Sequence, residues 1–299
     1  MGTAAYFRTR CIRLAGAAVL LVATPDNLPV AGASESGASI LALQPRYHRW
    51  HVDPGVDWTE ENTDYATLDW ELPLQQTALV LVDVWDRHYL KDTAARSEAI
   101  IGDRLKPLID ACRDSGLQVI HAPSPRQART HPNWRQGRED ARQTPIDKNW
   151  PPAAFRQKTG PYAQYQRPPE PRAGELADLR SQIRIHPKLA PTGEEAVVAT
   201  GSELHELCKE RGILFLLYAG FNTNACILTR DYGTMAMSRR GYEVIVVRDC
   251  TTGMESCRTK PTLAQTEGAI LFLEMFGMYS VTSVEIRHAL GEATQLHDK

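Results

Sequence analysis

From Thr77 onward, short apolar runs rich in β-branched residues alternate with longer stretches of helical periodicity. This alternation is typical of βαβ units, in which helices connect the parallel strands of one sheet. We therefore predict an α/β fold with three layers, built as a doubly wound, mostly parallel, six-stranded sheet. In such a sheet, ligands bind at the carboxyl ends of the strands. The predicted strands span residues 77–84, 117–122, 183–186, 213–219, 242–247 and 279–282.

The same alternation divides the 299-residue chain into regions. Residues 77–299 are predicted to form one domain, interrupted by a long inserted loop region at 123–180 that is rich in Pro, Arg and Gln. A loop of this length is typically a lid, a binding loop or an oligomer contact, and a plain surface insertion is the open alternative. Residues 34–76 are expected to form an arm that packs on the domain or on a neighbouring subunit. We expect a homo-oligomer.

The first 33 residues have the pattern of a signal peptide. Three arginines precede the apolar run 14–23, and Ala31-Gly32-Ala33 supplies the small residues that a signal peptidase accepts. The apolar run is too short to span a bilayer, so no stable membrane insertion is predicted. Export to the periplasm or the medium is therefore expected, and a cytoplasmic protein with an irregular N-terminus is the alternative.

The charge balance favours a small-molecule partner. The chain has 34 basic and 36 acidic residues, for a formal net charge of -2, and they are spread along the sequence. Nucleic-acid partners select concentrated basic patches, which this pattern lacks. The six cysteines form no CxxC pair and no zinc-ligand spacing, so neither a disulfide framework nor a structural zinc site is predicted. No cofactor is predicted.

Three chemically capable residues follow predicted strands: Asp83, Lys188 and Cys226. Because the carboxyl ends of parallel strands meet at one edge of a sheet, we expect these side chains to converge. Taken singly, an Asp is often a cap, a Lys a surface charge and a Cys an inert core residue. Together they supply a nucleophile, a proton acceptor and a positive charge, which nucleophilic catalysis requires.

Cys226 follows the turn 220–225 and opens a predicted helix. A helix N-terminus favours negative charge, and a nearby Lys188 would add to that effect, so a thiolate of lowered pKa is expected. Asp83 can accept the thiol proton and return it to a leaving amine. Backbone N–H groups of Asn222 and Cys226 are the predicted oxyanion hole for a tetrahedral intermediate.

Two stretches carry a family resemblance. TALVLVDVWD resembles the first strand and catalytic Asp of isochorismatase-like cysteine hydrolases, and GFNTNACILTRDYGTMAMSRRGYEVIVVRDC resembles their nucleophile turn, helix and following strand. The resemblance implies the Rossmann-like isochorismatase-like hydrolase fold and a triad of Asp83, Lys188 and Cys226. It also implies a cis peptide between Phe221 and Asn222. His186-Pro187-Lys188 matches the family pattern less closely.

Departures from the family pattern bear on the ligand. Nicotinamidases of this family hold a metal through an Asp-x-His pair and a further His, but here the loop after His121 reads Ala-Pro-Ser-Pro-Arg. We therefore predict no metal, and we interpret Asp86-Arg87-His88 as a strand-to-helix turn. Trp85 stands where the family commonly has Gln. Trp85 and His88 are candidate pocket residues, and Trp85 has packing in the core as its alternative.

The leading hypothesis is hydrolysis of a C–N bond in a small amide, carbamoyl or ureido compound through a thioester on Cys226. Vinyl-ether hydrolysis of the isochorismatase type is a second hypothesis. That reaction needs the acid but not the thiol, so the presence of Cys226 disfavours it. A non-catalytic binding or assembly module on the same fold is a third, which treats the three residues as incidental.

Overall fold

A computed structural model of the chain describes residues 39–137 and 150–297. The predicted signal segment 1–33 and the start of the predicted arm lie outside these residues. Among the helices of the described chain, none is long and apolar enough to cross a membrane.

The described chain is built around an eight-stranded sheet. The strands of the described chain are β1 (Ile40–Leu43), β2 (Arg46–Arg49), β3 (Asp64–Thr67), β4 (Trp70–Pro73), β5 (Thr77–Val82), β6 (Gln118–Ala122), β7 (Ala196–Val197), β8 (Phe215–Phe221), β9 (Glu243–Thr252) and β10 (Tyr279–Val281). The sheet has the order β3-β2-β10-β9-β8-β5-β6-β7, and the last six of these strands run parallel to one another. The mostly parallel six-stranded α/β sheet predicted from the sequence is thus confirmed, with β2 and β3 added antiparallel at one edge.

Helices connect the parallel strands. The first two are joined by a π-helical turn, Ile101–Leu105, without leaving helical dihedral angles. A last helix follows β10, where the sequence predicted none. The helices are α1 (Lys91–Ile100), α2 (Lys106–Asp114), α3 (Pro125–Ala128), α4 (Ala153–Gln157), α5 (Ala173–Gln182), α6 (Gly201–Arg211), α7 (Thr234–Arg239), α8 (Ala264–Met275) and α9 (Ser283–His297).

The strand β5 is buried along its whole length. Leu79 and Leu81 belong to one hydrophobic cluster with residues of α2 and α9, whereas Val80 and Val82 belong to a second cluster with residues of α6 and α8. Covering both faces requires the continuous apolar run that this strand has, rather than an alternating one. The strand therefore holds the residue at its carboxyl end, Asp83, in a fixed position.

The predicted strand at 183–186 is wrong in position. Ala196–Val197 pairs with β6 and takes the corresponding place in the sheet. Residues 183–186 instead run antiparallel to the chain just after β5, with one bridge between Ile185 and Trp85. The segment mimics a strand in sequence because its two isoleucines pack against the hydrophobic core while the residue between them is exposed.

The predicted helix from Cys226 to Arg240 is not continuous. A π-helical turn, Thr223–Ile227, is followed by a break, and α7 begins only at Thr234. Gly233 lies in the break, where an added Cβ would approach the Ile227 carbonyl oxygen to 2.6 Å. Only glycine therefore allows the chain to turn back so closely, and the break places residue 230 beside the nucleophile turn.

The described part of the arm packs on its own domain. The strands β1 and β4 form a two-stranded sheet, while β2 joins β10 at the edge of the central sheet. The Trp70 ring lies 4.5 Å from the Tyr279 ring, centroid to centroid, and the Arg46 guanidinium pairs with the buried Glu274 carboxylate at 2.9 Å.

The described part of the long loop region lies on the surface. No residue of α4 or α5 is buried. Trp134 attaches the start of the region, since it bridges to β7 at Val197 and its indole N–H donates to Glu203 at 3.2 Å. The start of the region therefore packs beside β7, where the buried Ala128 forms a small hydrophobic cluster with Val197 and Ala199.

Candidate active site

Asp83 directly follows β5 and is 5% exposed. Its φ of 46° lies in the left-handed region, which is uncommon for residues other than glycine, although Asp and Asn tolerate it best. The carboxylate accepts hydrogen bonds from the backbone N–H of Ser124, the Cys226 thiol and the Arg230 guanidinium. Burial raises the pKa of Asp83, and these three donors act against that shift.

Close contact between β5 and β8 brings the nucleophile turn to this carboxylate. In the sheet register, Val82 lies opposite Gly220. The φ of Gly220 is 115°, and an added Cβ would lie 2.0 Å from the Val82 carbonyl oxygen. No other residue fits there without moving the end of β5. Glycine at position 220 is therefore what places Phe221 and the following turn beside Asp83.

The turn that carries Cys226 is hydrogen-bonded to the end of β9 and to the loop that follows it. Thr223 and Thr251 share a hydrogen bond of 2.6 Å between their hydroxyl groups. The side-chain amide of Asn224 donates to the Met254 carbonyl at 2.9 Å and accepts from the Met254 N–H at 3.0 Å. These bonds fix the start of the turn, two residues before Cys226.

The Cys226 thiol is partly buried and hydrogen-bonded to Asp83. Burial raises the pKa of Cys226 to about 12, the negative charge of Asp83 raises it as well, and Arg230 lowers it. The sequence predicted a thiolate of lowered pKa, and this environment favours the opposite. These shifts favour a protonated thiol, and because Cys226 and Asp83 contact each other directly, the two groups titrate as a pair.

Arg230 is the cation that contacts both members of this pair. Its NH2 group lies 3.4 Å from the Asp83 Oδ2, and it donates a hydrogen bond to the Cys226 sulfur. The sequence reasoning missed this residue. A spacing of four residues places positions 226 and 230 on one face of a helix, and that spacing was the available signal.

Lys188 lies in a 3-10 turn, Pro187–Leu189, and is about half exposed. Its ammonium group donates to the Glu98 carboxylate at 3.0 Å, and His186 contacts the other oxygen of Glu98 at 3.0 Å. The hydrogen bond from Lys188 lowers the pKa of Glu98. The structure therefore brings Asp83 and Cys226 together as expected from the sequence, but places Lys188 on a different carboxylate.

The peptide bond between Phe221 and Asn222 is cis. The carbonyl oxygen of Asn222 accepts from the N–H groups of Ala225 and Ile227, at 3.1 and 3.2 Å. Within the described chain, the buried side-chain Oδ1 of Asn222 has no hydrogen-bond partner. The N–H groups of Asn222 and Cys226 form the predicted oxyanion hole. The Oδ1 of Asn222 is therefore a hydrogen-bond acceptor without a partner in the described chain, on a residue of that predicted hole.

Four aromatic rings form a wall beside the cis peptide. The Trp85 ring lies 5.1 Å from Phe221 and 4.9 Å from His88, and His88 lies 4.5 Å from Tyr89. Trp85 is 9% exposed and packs on the core, as its alternative interpretation expected, and its role in a pocket stays a prediction. Burial lowers the pKa of His88, which is therefore neutral at pH 7.

The Asp-x-His turn is occupied by protein contacts. Asp86 pairs with Arg87 at 2.8 Å and accepts from the Arg184 N–H at 2.9 Å, while the His88 Nδ1 accepts from the Leu90 N–H at 3.0 Å. Residues 39–137 and 150–297 contain no group of three His, Cys, Asp or Glu side chains that could hold a metal ion. The absence of a metal stays a prediction from the sequence.

Comparison with known proteins gives the family to which the chain belongs. The family model of the isochorismatase domain matches residues 77–270. The chain therefore belongs to the isochorismatase family. No curated protein sequence matches it significantly.

Solved structures include similar folds. A cysteine hydrolase from Pseudomonas syringae pv. phaseolicola 1448A is 17% identical, with 75% of this chain and 96% of that chain covered and a TM-score of 0.50. An isochorismatase family protein from Desulfovibrio vulgaris subsp. vulgaris str. Hildenborough is 18% identical, with 72% and 98% covered and a TM-score of 0.44. N-carbamoylsarcosine amidase from Thermoplasma acidophilum is 16% identical, with 70% and 96% covered and a TM-score of 0.37. The first of these likenesses supports the fold predicted from the sequence.

Proposed function

We propose that this protein is a cysteine hydrolase that cleaves a C–N bond of a small amide, carbamoyl or ureido compound through a thioester on Cys226. The observation that carries the proposal is the hydrogen bond between the Cys226 thiol and the buried Asp83 carboxylate, with Arg230 donating to both. This arrangement places a nucleophile, a proton acceptor and a fixed positive charge in direct contact.

The protonation state of the pair sets the first step. Cys226 attacks the carbonyl carbon as its proton passes to Asp83, so a C–S bond forms and the carbonyl oxygen becomes an oxyanion. The N–H groups of Asn222 and Cys226 are the donors proposed for that oxyanion. Burial helps here, because a carboxylate of raised pKa is a stronger proton acceptor than one in water.

Two further steps complete the reaction. When the intermediate collapses, the C–N bond breaks and Asp83 gives its proton to the leaving nitrogen, which leaves a thioester. Asp83 then accepts a proton from water as that water attacks the thioester. Breakage of the C–S bond releases the acid, and the sulfur regains the proton from Asp83. Arg230 stays charged throughout and stabilises whichever of the two groups is negative.

Asn222 favours nitrogen-containing substrates. Its Oδ1 is a buried acceptor without a partner in the described chain, and leaving such an atom unpaired costs free energy. An amide, carbamoyl or ureido group offers an N–H donor to this oxygen, whereas the oxygen of a vinyl ether does not. Isochorismatase-type hydrolysis therefore ranks second, and it would leave Cys226 without a role.

The test uses turnover and mass together. A panel of small amides, carbamoyl compounds and ureides is screened for ammonia release with wild-type protein and with Cys226→Ala. We expect release by wild type, loss of it in the variant and, with a slow substrate, an adduct on wild type whose mass equals the acyl group. Turnover by the variant would exclude the thioester, and an unreactive wild type across the panel would favour the non-catalytic alternative.

A further inference from the structure

A cavity of about 630 Å³ lies between the turn that begins with α3 and the segment that follows α5. This volume is in the range of small-ligand sites, roughly 300–1000 Å³. Three arginines, Arg126, Arg180 and Arg184, are part of its wall. Within the described chain, that wall includes no aspartate or glutamate.

Two of these guanidinium groups are uncompensated. Among residues 39–137 and 150–297, Arg126 and Arg180 make no ion pair and donate no side-chain hydrogen bond. Other exposed arginines nearby do pair with acids, as Arg172 does with Glu175. Arg184 is held in the wall instead, since its NH1 donates to the Ser181 and Ile183 carbonyl groups at 2.9 and 2.8 Å.

The cavity adjoins the proton-transfer carboxylate. Ser124 is part of the cavity wall, and its backbone N–H donates to Asp83. Ile185 is on the same wall and bridges to Trp85. The charge of Arg180 also reaches the aromatic wall, where it adds to the effect of burial in lowering the pKa of His88. Ser124 and Ile185 therefore connect the cavity wall to Asp83 and to the aromatic wall, each through one direct contact.

We infer that the substrate carries a carboxylate remote from the scissile C–N bond, and that Arg126, Arg180 and Arg184 bind it in this cavity. The inference rests on the proposed function for the position of the reacting bond. Guanidinium groups bind carboxylates in a planar, bidentate geometry with charge-assisted hydrogen bonds. Three like charges without an acid also repel one another, and an anion between them relieves that repulsion.

The kinetic test compares charged and neutral amides of equal length. Malonamate, succinamate and glutaramate are each paired with propanamide, butanamide or pentanamide, and ammonia release is measured. We expect wild type to favour the anionic member of at least one pair by about tenfold or more in kcat/KM. In the double variant Arg126→Gln, Arg180→Gln, KM for that anion should rise about tenfold with kcat nearly unchanged.

Controls separate charge from folding. Arg129→Gln removes an exposed arginine of the same turn that is outside the cavity wall, and it should leave both parameters unchanged. The lysine variants Arg126→Lys and Arg180→Lys should recover part of the affinity, because charge remains but the bidentate geometry is lost. Equal kcat/KM for anionic and neutral amides, or a double variant with wild-type KM, would overturn the inference.

Binding without turnover distinguishes this inference from the proposed function. Malonate, succinate and glutarate are titrated calorimetrically into Cys226→Ala, with and without the two glutamine substitutions. Binding that needs the arginines, together with a wild-type protein that hydrolyses no amide of the panel, would support the anion site and reject the hydrolase. If none of the three dicarboxylates binds to Cys226→Ala, or if all bind equally well to the glutamine variants, the anion site is rejected whatever the turnover.

Discussion

Two carboxylates of this protein, the partly buried Glu195 and the buried Asp83, each contact an arginine and a second titratable group, but the two sites differ in how many donors hold the carboxylate. Glu195 precedes β7 and accepts two hydrogen bonds from Arg113, at 2.7 and 2.8 Å, one from His121 at 2.9 Å and one from the Thr192 N–H at 2.9 Å. Asp83 follows β5, and its contact with arginine is longer, at 3.4 Å.

The difference appears in the charge each site prefers. Burial would raise the pKa of Glu195, but the donors outweigh it and hold that pKa well below its usual range. For Asp83 the donors do not outweigh burial, and the pKa is raised. A carboxylate saturated with donors is a structural anchor, because it does not take a proton at neutral pH. A less saturated one beside a thiol is suited to move a proton.

The largest expected effect follows from removing the proton acceptor. Asp83→Asn should lower kcat by about a thousandfold, because an amide cannot take the thiol proton. The free energy of unfolding should stay the same or increase, because asparagine removes a negative charge whose burial is costly. Ammonia release and urea unfolding measure the two effects. Retention of turnover would move the acid/base role to another group, with His88 or His121 as the first candidates.

The corresponding substitution at Glu195 should lower stability and leave turnover unchanged. Glu195→Gln leaves Arg113 without its carboxylate and should lower the free energy of unfolding by about 3 kcal/mol. The folded fraction should keep its kcat, because Glu195 contacts neither Cys226 nor Asp83 in the described chain. If this variant lost turnover while remaining folded, the division into an anchor and a proton-transfer site would not hold.

Paired methionine variants test which cation serves the thiol. Arg230→Met should lower kcat by about a hundredfold, because it removes the charge that stabilises the pair. Lys188→Met breaks an exposed ion pair with Glu98 and should change kcat little and stability by less than about 1 kcal/mol. The reverse ranking would restore Lys188 to the role that the sequence assigned to it.

The fold followed from the sequence because its signals are local. β5 is apolar on both faces, and the apolar runs of β6, β8, β9 and β10 lie within a few residues of their predicted bounds. Two elements were misplaced for physical reasons. The segment 183–186 has the period of a strand although it makes one bridge, and β7 is only two residues long, too short to show a period.

Only part of the site was predicted, because only the residues that follow a local sequence signal can be found from the sequence. Asp83 and Cys226 follow strong strand signals, so their positions were accessible from the sequence. Arg230 was missed although its spacing of four residues from Cys226 was visible, because its approach to Asp83 depends on the break before α7, which a helical pattern hides. Lys188 follows a segment that is not a strand of the sheet, and its partner Glu98 comes from α1 through tertiary packing.

A smaller effect is expected in the acid dependence of stability. The pKa of Glu195 is lower in the folded protein than in the unfolded chain, so its contribution is present above about pH 4.3 and is lost as the pH falls below that value. Burial also lowers the pKa of His121, although its contact with Glu195 acts against this. The unfolded chain therefore takes up a proton at His121 below about pH 6.5, where the folded protein does not.

The lowered pKa values of Glu195 and His121 both make the folded protein less stable in acid. The free energy of unfolding should fall by no more than about 1.4 kcal/mol per pH unit for each group. Melting temperatures between pH 7 and about pH 2.5 measure the slope, because the contribution of Glu195 is lost only below about pH 4.3. Glu195→Gln should flatten the lower part of the curve, while Asp83→Asn should not. A wild-type melting temperature that is constant over this range would contradict the assignment of Glu195 as a structural anchor.

The proton on Cys226 is the central claim, and thiolate absorbance in the ultraviolet measures it most directly. The difference between wild type and Cys226→Ala isolates this thiol as the pH is raised. We predict no Cys226 thiolate at pH 7 in wild type, and a thiolate that appears at lower pH in Asp83→Asn, because the variant lacks the negative charge that opposes ionisation. A thiolate already present at neutral pH in wild type would contradict the claim that Cys226 carries its proton beside Asp83.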